Sequence, residues 1–84
     1  IDGQLDAAEG NFDKSLAQDA DYVPALINLS SVKLQKGDYP QAKALAQKAL
    51  RFSPFSGEAL LNLVEAQLYL YKSNANVQEL SALA

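Results

Sequence analysis

Apolar residues in this chain recur at three-four spacing, separated by short polar breaks. From Ala42 they run Ala42, Leu45, Ala46, Ala49 and Leu50, while Lys43, Gln47, Lys48 and Arg51 fill the opposite face. That spacing is one stripe of an amphipathic helix. Asp38-Tyr39-Pro40-Gln41 supplies its start: a capping aspartate, a proline in the first turn, and a glutamine at capping-box distance. Gly37 suits the end of a preceding helix from about Pro24 to Lys36, which buries Ala25, Leu26, Leu29 and Val32. Pro54 stops the helix that began near Ala42. A helix is also predicted from Leu5 to about Gln18, ended by the turn Asp19-Ala20-Asp21, and another from Ser56, as cap, to about Lys72. Ser73-Asn74-Ala75-Asn76 is expected to break the chain before a short fifth helix through Leu80 and Leu83. The expectation is an all-α chain of about five antiparallel helices joined by short turns.

The pattern repeats. A shift of 34 places pairs Gly3 with Gly37, Ala8 with Ala42, Lys14 with Lys48 and Leu16 with Leu50. It also pairs Ala25 with Ala59, Leu26 with Leu60, Asn28 with Asn62 and Leu29 with Leu63. One fixed offset across most of a chain is the signature of stacked helical units.

Composition narrows the function classes. At 84 residues and 49% hydrophobic, the chain is one small domain with enough apolar material to fold. Seven Lys+Arg against ten Asp+Glu do not supply the basic face that nucleic acid or an anionic membrane requires. Direct membrane insertion is not expected either, since no apolar run approaches the roughly 20 residues of a span. There is no cysteine for a disulfide or thiolate site, and no histidine for the usual general base or metal ligand. No cofactor or metal is expected. The chain begins Ile1-Asp2 and contains no methionine, so a fragment of a longer protein is expected, with any targeting segment outside it.

Leu26, Leu29, Ala42, Ala49 and Pro54, with Gly37-Asp38-Tyr39 between two helices, resemble the tetratricopeptide repeat, a helix–turn–helix unit of 34 residues. The resemblance spans about Gly3 to Tyr71 and weakens after it. Ser30 stands in for the family's small glycine, Lys33 and Gln67 for its tyrosine, and Ala46 for an aromatic; Ala20 lies where Pro54 sits one unit later, and Asn76 where Ala42 sits one unit earlier. The resemblance implies an α-α superhelix over residues 1–84. Within it, residues 3–22 would be the second half of a repeat, 23–56 a complete repeat, and 57–84 a partial, divergent one.

It also implies a concave groove lined by the first helix of each repeat, and a non-catalytic interaction module. The sequence agrees from another direction. The helix after Ser56 is apolar nearly all round, through Ala59, Leu60, Leu63, Ala66 and Leu70 on one stripe and Leu61, Val64, Leu68 and Tyr71 on another. Its one polar strip is Glu58, Asn62, Glu65 and then Tyr69, echoing Pro24, Asn28, Ser31 and Gln35 a period earlier. Candidate peptide-binding residues are therefore Ile27, Asn28, Ser31, Gln35, Glu58, Leu61, Asn62, Glu65 and Tyr69. Asn28 and Asn62 could form a ladder, because a carboxamide both donates to and accepts from an extended peptide backbone. They could equally be bonded within the stack. Ile27 and Leu61 are candidate apolar pockets, or inter-helix packing.

Family members that grip a peptide carboxylate do so with lysine and arginine on the last groove helix. Here Glu58 and Asn62 stand at those places, so a neutral or basic protein segment is expected rather than an acidic one. Glu58 and Glu65 have no nucleophile or basic partner in the pattern and read as a solvated face. Asp19 and Asp21 are too few oxygens for calcium and read as turn residues. The alternative function is a structural scaffold or self-association segment of a larger assembly. The sequence style resembles bacterial members that assist envelope and pilus assembly. Exposed repeat ends are expected to favour a homodimer, through Leu68 and Tyr71 or through the Leu5–Phe12 face.

Overall fold

The computed structural model describes residues 2–83, with side chains for residues 3–73. Four helices follow one another without a strand among these residues: α1 (Asp2–Gln18), α2 (Val23–Lys36), α3 (Tyr39–Phe52) and α4 (Gly57–Leu83).

The turns form as their residues dictate. Asp19 Oδ1 accepts from the Asp21 N–H at 3.1 Å, and its carbonyl accepts from Tyr22 at 3.2 Å, so the aspartate closes the turn after α1. Gly37 takes the left-handed conformation at φ 82°. Its N–H donates to the Leu34 carbonyl and the Asp38 N–H to Lys33, the paired bonds that close a helix C-terminus. Asp38 then caps α3 by accepting from the Gln41 N–H at 3.4 Å. Because the Asp38 N–H already serves Lys33, Gln41 does not return the bond expected of a capping box. Ser56 caps α4, accepting from Ala59 at 3.2 Å.

One expectation is corrected. The helix beginning at Gly57 does not break at Ser73–Asn76 but continues to Leu83, giving four helices rather than five. The stretch contains neither glycine nor proline, and asparagine costs only about 0.5 kcal/mol per residue in a helix interior, too little to stop one unaided. Leu80 and Leu83, expected on the fifth helix, fall on this continuous one, and their side chains lie outside the described ones.

α2 is the centre of the molecule, packing against each of the other three helices, while α3 packs on α2 and α4. It buries Ala25, Leu26, Ile27, Leu29, Ser30 and Val32. Facing helices contribute small residues: Ala42, Ala46 and Ala49 on α3 and Ala59 and Ala66 on α4 are all fully buried. Alanine has little side chain to order and lets backbones approach closely. Ser30 lies where α2 meets α3, its hydroxyl donating to the Ala42 carbonyl at 2.8 Å.

The two peripheral helices are held differently. α1 meets α2 through an ionic cluster, with Lys33 Nζ 2.5 Å from Glu9 Oε1 and Lys36 paired to Asp6 and Glu9. Glu9 Oε1 is sealed from solvent without an aligned hydrogen bond. At 2.5 Å the Lys33 ammonium satisfies it as an ion pair. α3 meets α4 through a stacked pair, Tyr39 and Tyr69, with ring centroids 4.7 Å apart and planes 9° from parallel. No helix among the described residues is long and apolar enough to cross a membrane.

Candidate functional site

The face shared by α2 and α4 is organised by Asn62. This residue is 8% exposed, and its amide nitrogen donates to the Ile27 carbonyl at 3.2 Å and to Ser31 Oγ at 3.0 Å. Ser31 Oγ donates in turn to the Ile27 carbonyl at 3.3 Å, one turn back along its own helix. Both amide hydrogens are thus engaged inside the stack. Asn62 ties α4 to α2 and forms the floor between them.

That placement divides the candidate residues. Ile27 belongs to the core, clustered with Leu26, Ala49 and Ala59, and offers no pocket. Asn62 and half-buried Ser31 hold the helices together. Asn28 is exposed, so the two asparagines do not present equivalent carboxamides, and the ladder they suggested is not what the geometry brings together. Asn28 and Gln35 on α2 stand in the open with Glu58, Leu61, Glu65 and Tyr69 on α4. On α4 the last three polar or aromatic members recur at seven and four residues, one face of the helix. Leu61 is 58% exposed, so it is not packed between helices.

The sequence reading missed two partnerships. Tyr39 lies outside the strip by spacing, yet it backs the Tyr69 ring and fixes its orientation. The ionic cluster was also unread: acids at Asp6 and Glu9 and amines at Lys33 and Lys36 repeat the same i, i+3 step on two helices, and this matched spacing was the available signal. Its electrostatics are strong enough to move titrations. Contacts with the Lys33 and Lys36 ammonium groups hold the Glu9 carboxyl below its usual 4.5, and those with the Asp6 and Glu9 carboxylates raise Lys36 above its usual 10.5. On α3, Lys48 lies 3.8 Å from Asp21, and Arg51 is exposed. Among the described residues there is no group of three or more acids, histidines or cysteines placed to hold a metal ion.

Paired helices, a glycine turn between α2 and α3, small residues at their crossing and a 34-residue period define a helical-repeat protein. Residues 1–54 match the family model described as tetratricopeptide repeat, and the chain belongs to that family. Nothing matches it among curated proteins or among solved structures. Repeats of this family generally mediate protein–protein interaction.

Proposed function

We propose that this chain is a non-catalytic module whose α2–α4 face holds an extended protein segment of neutral or basic character, with residues 23–56 as the one whole repeat. The observation that carries the reading is the Asn62 bridge. It joins α2 to α4, and Asn28 and Gln35 on the first helix and Glu58, Leu61, Glu65 and Tyr69 on the second are all solvent-exposed, which supports a binding strip across the two. Backbone groups of an extended segment find donors and acceptors in Asn28 and Gln35. Leu61 and the Tyr39-backed Tyr69 ring supply apolar and aromatic contact, including a face for a cation. Glu58 and Glu65 set the charge preference, since the strip carries no cation before Lys72, beyond Tyr69. The scaffold reading draws on another surface, the apolar back of α4.

Titration calorimetry with an amidated lysine-bearing peptide and an acidic peptide ending in a free carboxylate tests the preference. The basic peptide is expected to bind at least tenfold more tightly at low salt. The joint change Glu58→Lys with Glu65→Lys is expected to reverse the order without unfolding the chain, as both sites are exposed. Tighter binding of the acidic peptide by the unsubstituted chain would reject the reading.

A further inference from the structure

α4 turns a second surface to solvent, away from Asn62. Leu60, Leu61, Val64 and Leu68 are each between 50% and 58% exposed, and Tyr71 is 60% exposed. At 100° per residue these side chains cover about a third of the helix circumference opposite the α2-facing side. The charged residues Glu58, Glu65 and Lys72 lie on the groove side of this stripe, and its only polar member is Gln67. One period earlier the same positions are covered: Leu26 is 1% exposed and Ser30 0%, under α3. Nothing in the described chain returns over α4 in that way, because α4 runs on through Ser73–Asn76.

The occupant is constrained by Val64. It takes the place of Ser30, whose small side chain lets α3 come close enough for a 2.8 Å bond to the Ala42 carbonyl. A valine there keeps an incoming helix at ordinary side-chain distance, roughly 8–10 Å between axes. The stripe is also its own complement. About a twofold axis at Val64, an antiparallel copy sets Leu60 against Leu68, Gly57 against Tyr71, and Val64 against itself. A parallel copy would oppose Gly57 to Gly57 and Tyr71 to Tyr71, a gap at one end and crowding at the other. Antiparallel helices also oppose their macrodipoles favourably.

We infer that α4 is a homodimer interface, two copies pairing antiparallel through Leu60, Val64 and Leu68 about a twofold axis at Val64. The contact is isologous, so one patch serves both partners. Half-exposed side chains of this number present on the order of 400–500 Å2 of apolar surface per copy, the size of the largest patch on a typical monomer. Two copies together present about 800–1,000 Å2, at the low end for a specific interface, and an uncharged centre is what such interfaces have. The dimer therefore forms with modest affinity; Leu61 lies at the border of the two surfaces, and Asn28, Gln35, Glu58, Glu65 and Tyr69 stay open on both copies.

Sedimentation equilibrium reads the mass directly. The chain is expected to pass from 9.0 kDa towards twice that value between about 10 µM and 1 mM, the range of a modest interface. Val64→Glu is expected to weaken dimerisation by roughly a hundredfold or more, since the axis brings two carboxylates together in an apolar seam. Circular dichroism is expected to show the helices of that variant intact, since the position is half-exposed. Because the protein has no cysteine, Val64→Cys places a single thiol on the axis. Oxidation is expected to link that variant into a dimer, and to link Leu60→Cys to Leu68→Cys in a mixture more readily than either to itself. Gln47→Cys, exposed on α3, serves as the unlinked control. A monomer at 1 mM, an undiminished dimer with Val64→Glu, or Val64→Cys linking no faster than Gln47→Cys would each overturn the proposal. Loss of the dimer with retained peptide binding by Val64→Glu separates this interface from the groove.

Discussion

Two asparagines one period apart do different work because their neighbours differ. Asn62 lies between helices, where a carboxamide without partners would be a desolvated liability, and it finds the Ile27 carbonyl and Ser31 Oγ. Asn28 is exposed, one turn from Ser31, and its carboxamide stays available. Asn62→Ala should therefore lower unfolding free energy by about 1–3 kcal/mol, the cost of removing one side of a buried hydrogen-bonded group. Asn28→Ala should stay within about 0.5 kcal/mol. Urea denaturation followed by circular dichroism reads both. Equal effects at the two sites would show that Asn62 does not bridge the helices. Peptide affinity should fall with Asn28→Ala while the fold is kept.

At the scale of elements, the two outer helices use different chemistry to keep their places. α4 is held to α3 by stacked rings and to α2 by the Asn62 amide. α1 is held to α2 partly by Asp6, Glu9, Lys33 and Lys36. Since Glu9 titrates below 4.5 when folded, its contribution is fully present above that pH and is lost as pH falls through its lowered value. Lys36 titrates above 10.5 when folded, so its contribution holds below that pH and is lost as pH rises through the raised value. All four groups are partly solvated, and added salt should shrink both limbs. Thermal melts across pH should show a plateau between the limbs. Glu9→Gln should flatten part of the acid one, and an unchanged acid limb in that variant would remove the cluster from the account.

The whole molecule is a short stack rather than a ball. Its radius of gyration is 14.5 Å and its extents are 51 × 32 × 17 Å, whereas a globular chain of this length would have a radius near 12 Å. An elongated shape follows from helices that each touch sequence neighbours and α2, with α4 reaching beyond the rest. Small-angle scattering on the Val64→Glu monomer should give a radius near 14.5 Å. A value near 12 Å would mean that the end of α4 folds back. It would also mean that the apolar stripe is covered from within, in place of a second copy.

Periodicity, caps and turns were legible because they are local. Gly37 needs no partner helix to take φ 82°, and Asp38, Ser56 and Asp19 bond residues two or three places away. The buried face of α2 was legible too, since an apolar stripe has one place to go. The end of α4 was not, because Ser73–Asn76 is a weak preference without a breaking residue. Nor could spacing alone decide whether Asn62 served a ligand or the stack, since a carboxamide satisfies either. The sequence by itself determined the all-helical class, the period and the family. Only the packed structure decided which residues on the shared face are floor and which are free. That choice depends on distances between helices that the chain order does not encode, such as Asn62 to Ser31 and Tyr39 to Tyr69.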